Sequence, residues 1–169
     1  MKTRDVFIVG GARTPTGKFQ GTSANISAPQ LGAIAIAAAV QRAGIAPERI
    51  DEVLMGNVIG AGLGQAPARQ AALKAGLRDT ISATQIGKVC GSGMKAAMFA
   101  SSMIRAGDAD VMVAGGMENM NRAPYLLLDA RFGYRAGDQR VADAAIHDGL
   151  WCALEDWHMG NAAEFIAAE

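Results

Sequence analysis

Glycine punctuates this chain at intervals that leave few folds open. Short β-branched apolar runs alternate with longer Ala-rich runs, and most of them stop on a glycine. Val6 to Val9 closes on Gly10-Gly11 and reads as a buried strand. After a polar loop, Ala12 to Ser27, the run Gln30 to Arg42 reads as a helix, with Ser27 as cap, Pro29 near its start and Gly44 as its stop. Pro47-Glu48-Arg49 makes a turn, and Val53 to Ile59 is the next strand. Gln65 to Lys74 is helical and closed by Gly76; Ile81 to Val89 is strand-like. Ser92 to Arg105 reads as a helix closed by Gly107, and Val111 to Ala114 as a strand stopped by Gly115-Gly116. This alternation predicts an α/β fold: a mainly parallel sheet, right-handed crossovers and helices on both faces. The functional site of such a sheet lies at the strand carboxyl ends.

After Gly116 the rhythm breaks. The remaining residues are richer in charge and aromatics, mostly loop-like, with a late helix over Asn161 to Ala168. The break divides the chain into 1–117, an α/β domain, and 118–169. Four strands are few for an open parallel sheet, so the expectation is a fold that is incomplete without further protein.

Bulk properties exclude several classes. The 169 residues are 50% apolar and 19% charged, enough for a packed core and unlike a disordered segment. Formal net charge is zero with no basic stripe, so nucleic acid is not expected as a partner. No stretch reaches the roughly 18 apolar residues of a membrane span. The opening MKTRDVFIVGG holds too short an apolar run for a signal-peptide core. The expectation is a soluble, cytoplasmic protein with no membrane association.

Two cysteines, Cys90 and Cys152, make no disulfide framework and no paired zinc motif. His147 and His158 are too far apart for ligation from one helical face, and no metal is expected. Cys90 is the informative one. Lys88-Val89-Cys90-Gly91-Ser92-Gly93-Met94-Lys95-Ala96 places it where a strand hands over to a helix. Unpaired N–H groups and the dipole at a helix start stabilise a thiolate. Gly91 and Gly93 leave room for a substrate carbonyl, and the Cys90 backbone N–H is a candidate oxyanion donor. A small buried hydrophobe stays open beside this nucleophile.

Other motifs weigh less. Gly11 to Lys18 is one residue too long for a P-loop, and Phe19 stands where Ser or Thr would bind magnesium. Gly91-Ser92-Gly93 is not a hydrolase elbow, which needs another residue on each side of the serine. Met94, Met98 and Met103 on the Ser92 helix are expected to fill the core. Asp110 and Glu118, flanking the last strand, are expected to be solvated. His158, in Trp157-His158-Met159-Gly160, reads either as a half-buried, satisfied ring or as a pocket wall.

Taken in order, these stretches resemble the thiolase family, specifically acetyl-CoA acetyltransferases. Gly10 to Phe19 is similar to the family's opening strand and loop. Gly56-Asn57-Val58 with Gly62 to Gln70 is similar to its second strand and helix. Val89 to Ala96 resembles its nucleophile signature, and Ala114 to Met120 its next strand. Pro124 to Leu127 and Arg131 to Tyr134 look like its tetramer-forming loop. Asp148-Gly149-Leu150 and His158-Met159-Gly160 look like the start of its substrate-covering loop domain.

The resemblance implies a thiolase-like fold, in which 1–117 lacks its final strand and 118–169 is the beginning of the loop domain, and a reaction. The Cys90 thiolate takes an acyl group from a thioester, and the carbanion of a second acetyl-CoA attacks it to give acetoacetyl-CoA, reversibly. Coenzyme A thioesters are substrates, and no separate cofactor is implied. Leu150, His158 and Met159 match residues that bind the pantetheine or acyl region. Gly87 departs from the family's usual Asn. The family's Asn-Glu-Ala, Gly-His-Pro and Cys-x-Gly-Gly stretches do not occur here, and Cys152 does not match the last of them. The resemblance therefore implies a partner chain supplying the C-terminal half, and a dimer or tetramer of the assembled unit. The alternatives are a non-catalytic coenzyme A-binding or assembly subunit, or a related condensing enzyme.

Overall fold

The computed structural model describes residues 4–169. It divides into two compact units, one running to Arg122 and the other Ala123–Glu169.

The first unit is built on a parallel three-stranded sheet. Its strands are β1 (Glu52–Gly56), β2 (Ser82–Ile86) and β3 (Met112–Gly116), in the order β2-β1-β3. Glu52 is level with both Ser82 and Met112, and Gly56 with both Ile86 and Gly116. The three carboxyl ends therefore finish together. Helices α1 (Ala28–Ala43), α2 (Pro67–Lys74) and α3 (Ser92–Ala106) fill the connections.

Strand alternation sorts the core into two layers. Val53 and Met55 point to one face, where Ile36 of α1 and Ala68, Ala71 and Ala72 of α2 join them. Leu54 points to the other, onto Ala96 and Ala100 of α3. Helices thus cover both faces, as the alternation predicts. Ser92, Ala96 and Ala100 repeat every fourth residue and form the inner stripe of α3. Met94 and Met98 sit roughly 200° further round, at about 100° per residue, and are exposed. The expected core role for them is corrected; of the three α3 methionines, Met103 alone packs against the Leu54 cluster.

Val6 to Val9 also departs from expectation. It is no strand, and Phe7, Ile8 and Val9 are 78%, 96% and 61% exposed. An apolar run becomes a strand only beside backbone that accepts its N–H and C=O groups. Among the described residues none takes that position.

Helix ends follow the sequence closely. Ser27 caps α1 in a capping box with Gln30, and Gly44 closes the helix in the left-handed region. β1 ends at Gly56 rather than Ile59, and β2 at Ile86 rather than Val89.

The second unit holds a π-helical turn Ala145–Leu150, two ladders of two-residue strands and helix α4 (Met159–Ala167). β4 (Tyr125–Leu126) pairs with β5 (Ala142–Asp143), and β6 (Trp151–Cys152) with β7 (Trp157–His158), both antiparallel. The sequence pattern is too short to announce these strands.

Candidate active site

The aligned strand ends put three connections on one edge of the sheet. After Ile86 the chain turns through a 3-10 segment, Val89–Gly91, straight into α3. Cys90 is the middle residue of that segment and is exposed. The chain therefore does not bury Cys90 as a small core hydrophobe. Val89 before it adopts φ +47, a region that β-branched residues rarely enter.

A close approach seats α3 at this edge. A Cβ at Gly56 would lie 2.5 Å from the Gly93 nitrogen and 2.7 Å from Ser92 Cβ. Only hydrogen at Gly56 lets the start of α3 rest on the end of β1. Ser92 is 3% exposed, and its hydroxyl both accepts and donates. It accepts the Lys88 N–H at 2.8 Å and donates to the Val89 carbonyl at 2.7 Å.

Next to this lies a polar network the sequence reading missed. Glu118, beyond β3, accepts the Val58 N–H at 2.7 Å, the Ile59 N–H at 3.3 Å and the Asn57 side-chain amide at 2.9 Å. Asn57 is buried; its amide also donates to the Met117 carbonyl, its carbonyl oxygen accepts from Gln85, and its backbone N–H bonds to Ile86 O. Glu118 therefore ties the loop after β1 to the end of β3. It is half-buried, not solvated as expected. Desolvation pushes its carboxyl above the ordinary 4.5, against the lowering effect of the Val58, Ile59 and Asn57 donors. Asp110 keeps the solvated role, in an exposed ion pair with Arg4. A carboxylate two residues past one glycine-ended strand and an Asn one residue past another were the available signal.

Asn119 works similarly. It is buried, and its amide donates to the carbonyls of Ser23 at 2.9 Å and Ile26 at 2.6 Å. The long loop before α1 is thus held to the end of β3.

The other expected site residues lie in the second unit. His158 faces Trp151 across the β6–β7 ladder, ring edge against ring at 6.5 Å between centroids. Leu150 precedes Trp151 and Met159 follows His158, so the ladder brings all three together. His158 is half-buried and caps α4: its Nδ1 accepts the Gly160 N–H at 2.9 Å. That bond requires Nδ1 to be bare, which in the neutral ring leaves the proton on Nε2. Met159 is 47% exposed and Leu150 half-buried. Cys90 belongs to the first unit and these three to the second. Among the described residues no cluster of His, Cys, Asp or Glu could hold a metal ion, and no helix is long and apolar enough to cross a membrane.

Comparison with known proteins agrees with this geometry. The model of the thiolase N-terminal domain matches residues 6–169. An acetyl-CoA acetyltransferase of Cupriavidus necator is 54% identical over 98% of this chain, and one of Escherichia coli is 52% identical over 98%. A solved acetyl-CoA acetyltransferase from Syntrophomonas wolfei superposes with a TM-score of 0.93 at 40% identity, covering 99% of the chain. In each case the chain spans 42% of the other protein's length. Sheet order, the cysteine turn and near-complete coverage all point one way: the chain belongs to the thiolase family, of which it carries the N-terminal part.

Proposed function

We propose that Cys90 is the acyl acceptor of a thiolase reaction, reversible condensation of two acetyl-CoA to acetoacetyl-CoA, completed by a chain carrying the C-terminal half. The observation that carries this is an exposed cysteine at the start of α3, on the sheet edge where the strand ends converge.

The Cys90 thiolate attacks the thioester carbonyl carbon, the C–S bond to coenzyme A breaks, and the departing thiolate takes up a proton. The Cys90 backbone N–H, in the turn that opens α3, is the donor to the negative charge that develops on the carbonyl oxygen. In the second step a base removes the α-proton of another acetyl-CoA. Its carbanion attacks the acyl-Cys90 carbonyl, and the Cys90 thiolate leaves. Both the proton acceptor of the first step and the base of the second come from the partner chain. Leu150, His158 and Met159 form the wall against the pantetheine and acyl region, in a loop domain that this chain begins at residue 118. His158 offers its Nε2–H and is no base. The assembled unit works as a dimer or tetramer on cytoplasmic coenzyme A thioesters, and coenzyme A is substrate rather than cofactor.

Incubating the chain with acetyl-CoA, with and without a C-terminal thiolase half, and locating the adduct by peptide mass tests this. Acetyl-Cys90 is expected with the partner, at a rate at least about 100-fold above the chain alone, the order of one general-base contribution. Cys90→Ala should abolish both adduct and turnover. Unchanged turnover in that variant would make the chain a scaffold.

A further inference from the structure

We propose that Ser92 is a positioning residue: its buried hydroxyl locks Val89 in the left-handed region and so fixes Cys90 at the mouth of α3. Four non-glycine residues among those described have positive φ, and Val89 is the only β-branched one. Such a conformation persists only where the surroundings over-determine it. Side-chain packing does not hold it, because Val89 is 53% exposed. What closes the turn is Ser92. One hydroxyl takes the Lys88 N–H and gives its own proton to the Val89 carbonyl, which the Ser92 backbone N–H also reaches. The Gly91 N–H to Lys88 carbonyl bond, 3.0 Å, completes the ring around Cys90. Ser92 cannot drift, since its Cβ sits against Gly56. The backbone leading into Cys90 is therefore held at Lys88 and Val89 by a single side-chain oxygen. Cys90 itself stands exposed in the middle of this hydrogen-bonded turn.

This rests on the reading of Cys90 as the acyl acceptor, so the test uses a reagent that needs no acyl chemistry. Iodoacetamide labelling of Cys90 is followed by peptide mass in the full chain, which separates it from Cys152. Ser92→Ala should slow labelling by about tenfold, the worth of one to two net hydrogen bonds. In a Val89→Gly background, where glycine takes φ +47 without strain, the same Ser92→Ala change should cost less than about twofold, because coupled residues are non-additive. An equal loss in both backgrounds, or no loss in either, overturns the proposal. Circular dichroism accompanies each variant. If Ser92→Ala alone fails to fold, recovery of a folded chain by adding Val89→Gly supports the lock. Failure of both shows that the Ser92 hydroxyl is needed for something other than holding Val89 and overturns it. Acetylation of the wild-type chain and its partner by acetyl-CoA separates the two readings: a coupled Ser92 effect without acetylation leaves the lock standing and removes the thiolase reading, and the converse removes only the lock.

Discussion

Glu118 is the residue whose environment has the most consequence outside the cysteine turn. Its carboxyl binds a proton more tightly when folded, because burial disfavours the charged form. The folded chain then holds more protons than the unfolded one at and above pH 4.5, and stability falls as pH rises through that window until the native group is ionised. Urea midpoints measured between pH 4.5 and 7 should show this decline, and Glu118→Gln should flatten it. The variant should also cost about 1–2 kcal/mol at pH 7, because an amide cannot accept from Val58, Ile59 and Asn57 together. Asp51 acts in the opposite sense. The Val111 and Asp110 backbone donors hold it below 3.8, so the stability it adds is present above that value and lost as pH falls through its lower native one. The letters gave only the positions of Glu118 and Asn57 just past two glycine-ended strands. A carboxylate after a strand is ordinarily solvated, and only the alignment of β1 with β3 brings Glu118 to Asn57.

Helix placement decides the site at the next scale. α3 reaches the end of β1 only because Gly56 has no side chain. Gly56→Ala should cost about 1–3 kcal/mol by overpacking and displace Cys90 with the start of the helix. A thermal melt combined with the Cys90 labelling rate checks both. α1 is defined more locally. Ser27 and Gln30 satisfy each other's backbone N–H groups, and Ser27→Ala should cost about 1 kcal/mol with no change in Cys90 labelling. Caps of this kind were readable in the sequence, since they depend on residues three apart. The 3-10 turn and the left-handed Val89 were not, because nothing in Lys-Val-Cys-Gly-Ser names the backbone region of its valine. The two-residue strands of the second unit escaped for a related reason: so short a ladder has no periodicity to detect.

At the largest scale, the first unit hangs on its central strand. Val53 is fully buried, and Val53→Ala should cost about 2 kcal/mol at roughly 0.8 kcal/mol per buried methylene. Phe7→Ser and Ile8→Ser, in an equally apolar run, should move the isolated chain by less than about 0.5 kcal/mol, because both side chains already face water. Denaturant titrations of the three variants make the comparison. By itself the sequence determined the alternation of strand and helix, the helix ends, the two-faced sheet and the cysteine at a strand-to-helix junction. Those features are set by local spacing: period 2, period 3.6, and small residues at turns. Tertiary structure alone decided which apolar run found a neighbour, which carboxylate was buried, which face of α3 its methionines took, and how Ser92 reaches back to hold Val89. Each depends on what lies beside a residue in space, and for Val6 to Val9 no strand lies there among the described residues.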